Sequence, residues 1–364
     1  MQIVSLKPNR IVLILPCCIG DVVLATAALA ALRRGYPEAH ITWAVGGWSR
    51  QAVEGHPMLD AVLDTGPDAL PVRTLGGLWR FVRQLRAGRY DLAVSLVRSP
   101  LMSAALLLSG IRWRAGLDSA GRGFGANIRA PIRPDERRNE GDIYLDVARA
   151  LGLDVTGCHA NVPVLTTDAE AVRALLAERG MTGRYVVLNP AGGQNPGMTL
   201  DVKRWPPGNF AALANRLAAR YDAKVVLVGG PGDAALIEAV QTLLDRPVVP
   251  FAGALTFGQI GALARDGLVY VGNDTGMTHY AAAAGAKTVM ILGPSDPVRY
   301  APFADNALAL WRPVALPGGG VAAGAPLDWD WARDGISVDE VEARIVEFVG
   351  LRGDDLLNCS LVTR

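Results

Sequence analysis

Apolar residues in this chain come in short unbroken runs, and most runs lead into a glycine-bearing turn and then a helical stretch. Arg10–Pro16 (R-I-V-L-I-L-P) is apolar without alternation, the pattern of a strand buried on both faces of a parallel sheet. A turn at Cys17–Asp21 follows, and the period changes to that of a helix over Val22–Arg34, ended by Gly35 and Pro37. The next strand is His40–Val45. This opening βαβ predicts a right-handed crossover in a doubly wound sheet. Ala61–Leu63 and Leu92–Leu96 read as further strands, Leu75–Ala87 as a helix with arginines on its outer face, and Gly141–Leu151 as another helix. Leu101–Leu108 is apolar on every side and reads as a buried helix, too short to span a bilayer.

Val162–Thr167 reads as a linker, after which the alternation starts again. Helices are expected at Asp168–Arg179, Pro207–Tyr221, Ala234–Leu244 and Thr256–Arg265. Strands are expected at Tyr185–Leu188, Lys224–Val228, Val248–Val249, Leu268–Val271 and Val289–Leu292. Two βα series of similar size predict two Rossmann-like α/β domains facing a central cleft, with boundaries at 1–165 and 166–335. The amphipathic helix Ser337–Val349 and the tail form a last segment, 336–364, that packs across them. Gly318–Gly320 and its neighbours read as a loose loop.

Net charge is only +1 over 364 residues, which speaks against a nucleic-acid partner. The charge is uneven: residues 1–165 carry 19 Lys+Arg and 14 Asp+Glu, residues 166–364 carry 17 and 21. Residues 112–138 hold seven arginines among glycines and prolines with little periodicity. They read either as a solvated surface loop or as a phosphate- or carboxylate-binding loop, since the guanidinium fork pairs with both anions. The four cysteines have no metal-ligand spacing. Cys17 and Cys18 are expected as small buried thiols, and a reducing cytoplasm is the simplest setting. No signal-peptide pattern and no run of eighteen apolar residues is present, so the chain is expected to be soluble or attached to a membrane surface.

Ligands of open α/β sheets bind beyond the carboxyl ends of the strands. In the first half those ends carry Gly20, Asp21 and Arg98. In the second half they carry Asn189–Gly193, with Gly192, then Gly229–Asp233, with Gly230, Asn273–Gly276 and Gly293–Asp296. Four glycine-bearing turns make a backbone-lined mouth suited to a nucleotide diphosphate. Asp274, Thr275 and Gly276 sit where a strand gives way to a helix starting at Met277, a place where free N–H groups and the helix dipole favour an anion. An ordinary βα turn fits the same residues. Neither G-x-G-x-x-G after the first strand nor a P-loop motif is found, so dinucleotide oxidoreductases and P-loop enzymes lose their main support. Lys203, one of four lysines, is either a surface charge or a mobile phosphate contact. Asp21 is either a first-turn helix carboxylate or a general base. His279 is expected beside the turn without a catalytic role.

The segments L-P-C-C-I-G-D-V-V-L-A-T-A-A-L-A-A-L-R-R, K-R-W-P, N-D-T-G-M-T-H-Y-A-A-A-A-G and G-P-S-D-P-V-R-Y-A-P occur in this order. Together they resemble glycosyltransferase family 9, the ADP-heptose:lipopolysaccharide heptosyltransferases and their relatives, over about Arg10 to Val349. The resemblance implies a GT-B fold, inversion at the anomeric carbon and no required metal or cofactor. It makes Asp21 the base that deprotonates the acceptor and Lys203 the contact to the donor's phosphates. Asp274, Thr275, Gly276, Met277 and His279 become the turn around the donor, and Asp233 and Leu255 neighbours of its nucleoside. Two departures stand out. A-G-G-Q-N-P-G-M-T replaces a loop where relatives often carry hydroxyls, and D-W-D-W-A-R-D-G lacks the family's frequent cysteine.

The expected partners are a nucleotide sugar and a carbohydrate or glycolipid acceptor, with Arg98, Arg122 and Arg129 as acceptor contacts. A cytoplasmic monomer is expected, at most peripheral to the inner membrane. The acceptor stays open between lipopolysaccharide core, another glycolipid, a protein and a small aglycone. A nucleotide-sugar 2-epimerase on the same architecture and a non-catalytic nucleotide-sugar binding protein are the competing readings.

Overall fold

The computed structural model describes residues 6–133, 135–195, 198–314 and 328–350. The chain divides into two compact units, Met1–Val162 and Pro163–Arg364. The expected loop at Gly318–Gly320 lies outside the described residues.

The first unit runs β1 (Arg10–Ile14), α1 (Ile19–Leu24), α2 (Thr26–Gly35), β2 (His40–Val45), β3 (Ala61–Asp64), α3 (Leu75–Ala87), β4 (Leu92–Ser95), α4 (Pro100–Ser109), β5 (Trp113–Ser119), β6 (Ile128–Ile132) and α5 (Glu140–Ala150). Its six strands are parallel in the order β3-β2-β1-β4-β5-β6. The apolar runs are the central strands: every residue of Ile11–Ile14 and Leu92–Ser95 is buried. On one face the sheet is covered by α3 and α4, whose Leu78, Phe81, Val82, Leu85, Met102 and Leu106 pack on Val12, Ile14 and Ala93.

Three expectations change in this unit. The single helix Val22–Arg34 is two helices, broken at Ala25, where no proline or glycine marks the break. The hydroxyl of Thr26 donates to Val23 O and accepts from Asn161 N, which ties the break to the end of the unit. Residues 112–138 are not one irregular loop, because they contain β5 and β6. Pro131 is tolerated there because β6 is an edge strand. The glycines serve a close crossover: a Cβ on Gly125 would lie 1.9 Å from Ser103 O of α4. Last, Cys17 and Cys18 are not separate thiols; their sulfurs are paired across a cis peptide.

The second unit runs α6 (Thr166–Glu178), β7 (Tyr185–Asn189), β8 (Gln194–Asn195), β9 (Met198–Thr199), α7 (Pro207–Tyr221), β10 (Lys224–Gly229), α8 (Ala234–Gln241), β11 (Val248–Ala252), α9 (Phe257–Asp266), β12 (Tyr270–Asn273), α10 (Gly276–Ala283), β13 (Thr288–Ile291), α11 (Pro297–Tyr300), β14 (Ala307–Leu310), α12 (Trp331–Asp334) and α13 (Val338–Gly350). Its parallel sheet has the order β11-β10-β7-β12-β13-β14, which repeats the order of the first. β14 escaped the sequence pattern because A-L-A-L is short and weakly β-forming. The last helix, α13, packs on α7 and puts Val341, Ile345 and Phe348 into the core of this unit. Arg216 and Arg220 of α7 pair with Asp339 and Glu342 along its rim.

Candidate active site

In both sheets the strand order reverses between the first and fourth strands, β1 and β4 in one and β7 and β12 in the other. Side chains beyond the carboxyl ends of these pairs stand at the topological switch point, where such folds leave a crevice.

In the first unit this point is a polar cluster. Asp21, in the first turn of α1, accepts from the hydroxyl of Tyr144 at 2.8 Å and, weakly, from the N–H of Cys18 at 3.4 Å. Glu140, buried at the start of α5, pairs with Arg98, which follows β4. Packing of α1 against α5 brings the four side chains together. Asp21 keeps some surface exposure, but protein encloses its carboxylate. Burial pushes its pKa up, and Glu140 pushes the same way. The Tyr144 hydroxyl, the Cys18 N–H and Arg98 oppose them without cancelling the rise. Burial and the neighbouring Asp21 carry the Tyr144 phenol well above its ordinary range, so it stays a hydrogen-bond donor. Tyr144 and Glu140 were missed from sequence. Their signal is only their place on the inner face of a helix that follows the Asn139 cap.

Arg122 and Arg129 do not join this cluster. Arg122 donates to Ser119 O and Oγ. Arg129 donates to Ala126 O and Phe124 O and pairs with Asp118 at 3.6 Å. Both brace the β5–β6 crossover.

In the second unit the K-R-W-P segment explains itself residue by residue. Trp205 is buried; its backbone N–H donates to Asn273 Oδ1 at 2.9 Å, and its indole donates to Ile336 O. Arg204 donates to Gly192 O at 2.8 Å. Pro206 and Pro207 start α7, where a missing N–H costs nothing. Lys203 is thereby held against Asp274, Nζ to Oδ2 at 2.5 Å, both largely buried.

Asn273 is the last residue of β12 and not a cap: its amide also donates to Pro190 O and Ala191 O, which binds the turn after β7 to the turn after β12. Thr275 caps α10 by accepting from Thr278 N. Gly192 lies against it, with φ of 139°, and a Cβ there would come within 2.2 Å of Thr275 Cγ2. The N–H groups of Gly276 and Met277 open α10 and lie outside its own ladder. Met277 packs partly on the core.

Burial pushes the pKa of Asp274 up, but the Lys203 ammonium outweighs it and the carboxyl is held below its usual range. The carboxylate at this turn is thus already charge-paired. His279 is buried next to the pair and pushed down to about 4, first by burial and then by Lys203, against Asp274. Its Nδ1 has no hydrogen-bond partner among the described residues. Further along the edge, Asp233 accepts from Gly230 N at 2.8 Å and so shapes the turn after β10. Leu255 is partly buried against the core beside it. Among the described residues no group of three His, Cys, Asp or Glu side chains is placed to hold a metal ion.

The histidine gives a pH prediction. Its folded-state value lies below that of the unfolded chain, so the stability it contributes is present above about pH 6.5 and is lost as the pH falls towards 4. The loss is roughly 3 kcal/mol. Melting temperature followed across that window is expected to fall more steeply for the native chain than for His279→Asn. Parallel curves would show that His279 does not titrate in this way.

Two six-stranded Rossmann-type units, each with polar groups gathered at its switch point, make up the GT-B fold of glycosyltransferases. The chain belongs to glycosyltransferase family 9 (heptosyltransferase), whose family model matches residues 78–316. It is 25% identical over 299 residues to lipopolysaccharide heptosyltransferase 3 of Escherichia coli, covering 80% of this chain and 86% of that one. Among solved structures it is similar to a family 9 glycosyl transferase from Veillonella parvula, with TM-score 0.77 and 21% identity over 95% of this chain and 98% of that one. It is also similar to the E. coli heptosyltransferase WaaC with ADP, with TM-score 0.68 and 18% identity over 93% and 99%. The protein is an enzyme of glycosyl transfer.

Proposed function

We propose that this enzyme is an inverting heptosyltransferase that moves a heptose from ADP-heptose to a hydroxyl of a lipopolysaccharide-core or related glycolipid acceptor. The observation that carries the reading is the buried Asp21 carboxylate, held by Tyr144 and raised in pKa by burial. A base must take a proton from an alcohol as the bond forms, and a carboxylate raised towards working pH does so better than an ordinary one. Its proton acceptor function completes the balance: the acceptor oxygen bonds to the anomeric carbon, its proton passes to Asp21, and the sugar–phosphate bond breaks to release ADP. The leaving diphosphate gathers negative charge. Lys203 and the N–H groups of Gly276 and Met277 are donors already in place for it. Asp274 holds Lys203 and the turn, and does not itself meet phosphate. Relatives described as lipopolysaccharide heptosyltransferases and a solved relative with ADP support the choice of sugar, acceptor and nucleotide. No metal or cofactor is assigned a step.

The test is to incubate the enzyme with ADP-heptose and a heptose-acceptor core glycolipid. Mass spectrometry should show one heptose added and one ADP released, and NMR should show the opposite anomeric configuration to the donor. Turnover of ADP-heptose to an epimer without any acceptor would overturn the reading.

A further inference from the structure

The described residues include nine large exposed hydrophobic side chains, and six of them lie on one face of the first unit. Leu75 and Trp79 stand one turn apart on α3, at 78% and 50% exposure. Leu101, Leu107 and Leu108 are on the neighbouring α4. Phe124 is on the crossover segment that Gly125 presses onto α4. The expectation that the all-apolar helix is buried therefore fails on its outer side: Met102, Ala105 and Leu106 face the sheet while three leucines face out.

The same face is cationic. Neither α3 nor α4 contains an acidic residue, and Arg80, Arg83 and Arg86 are exposed along α3 beside Trp79. Arg86 donates to Leu108 O, which joins the ends of the two helices. Single exposed leucines need no explanation. Clustered leucines and aromatics among arginines, with no carboxylate on either helix, match an interface between headgroups and acyl chains, where rings and guanidinium stems lie together.

We propose that the α3–α4 face docks the enzyme on an anionic phospholipid bilayer, with Leu75, Trp79 and the outward leucines of α4 entering the interface and the arginines meeting lipid phosphates. Among the described residues no helix is long and apolar enough to cross a membrane, so the attachment is to the surface. The proposal does not rest on the catalytic reading, because binding is measured without turnover.

The experiment is flotation of the full chain with phosphatidylcholine vesicles and with vesicles of roughly one-third phosphatidylglycerol. Binding is expected to the second kind only, and to weaken strongly at about 0.5 M salt. Arg80→Gln and Arg83→Gln are each expected to weaken partitioning about fivefold. Arg83→Lys should retain it. The pair Leu75→Ser with Trp79→Ser should weaken it at least about tenfold, with melting temperature nearly unchanged because both residues are exposed. Absence of flotation, or equal binding to both vesicles, overturns the proposal. So does a result in which the serine pair disperses a self-associated species while vesicle binding is untouched, since the face would then join two copies of the chain.

Discussion

Asp21→Asn is expected to lower kcat by at least about a hundredfold while leaving the fold and nucleotide-sugar binding intact, the loss typical of removing a general base. Asparagine keeps the shape and hydrogen-bonds helix N–H groups about as well as aspartate. Its amide oxygen still accepts from the Tyr144 hydroxyl, so the cluster with Glu140 and Arg98 stays in place. Replacing a carboxylate that burial disfavours should not lower the melting temperature. Tyr144→Phe separates positioning from proton transfer. Without the hydroxyl, the main influence lowering the Asp21 pKa is gone, so the carboxyl rises further. A base is active only when deprotonated, so the acid limb of the kcat/KM profile should move to higher pH, with a larger loss at low pH than at high. A superimposable profile would show that Tyr144 does not act on Asp21. Unchanged turnover in Asp21→Asn would remove Asp21 from the reaction.

The two parts of that cluster were not equally legible. The unbroken apolar run Ile11–Ile14, followed by glycine and aspartate, places Asp21 at a strand end before any coordinate is known. Tyr144 is 123 residues away, and only the docking of α5 on α1 brings it in. Sequence period reports which face of a helix is buried, not what it is buried against. The same limit hid β5 and β6. Parallel strands are defined by a neighbour, and here arginine, glycine and proline at crossover and edge positions erase the apolar run that marks the other strands. It also misjudged α4: seven apolar residues and one serine over Leu101–Leu108 give no hint that Leu101, Leu107 and Leu108 face outward. By contrast, the turn at Asp274–Gly276 was readable because its chemistry is local. A strand end, a threonine cap and a helix stopped by Gly285 at φ of 90° follow within a few residues.

Lys203 is the residue for which sequence offered a surface charge or a phosphate contact, and the structure adds a third role as the counter-ion of a buried carboxylate. Lys203→Met should therefore have two separable effects. Removing one partner of a buried ion pair leaves the other uncompensated, which costs about 3–5 kcal/mol. In a unit of this size that lowers the melting temperature by roughly 6–20 °C. Without the ammonium, burial prevails and the Asp274 pKa rises, so the carboxyl takes up a proton more readily. The deficit should thus be larger at pH 8 than at pH 5, where a neutral Asp274 is tolerated. The double variant Lys203→Met with Asp274→Asn removes both charges and should regain most of the lost melting temperature. Donor affinity follows another rule. A charge-assisted contact to the diphosphate is worth about 1.5–3 kcal/mol, so nucleotide-sugar binding should weaken roughly 10- to 150-fold in the single variant and stay weak in the double one. Calorimetric binding of ADP together with melting curves decides the matter. Recovery of both properties in the double variant would make Lys203 a counter-ion only, and an unchanged melting temperature in the single variant would show that the pair does not support the fold.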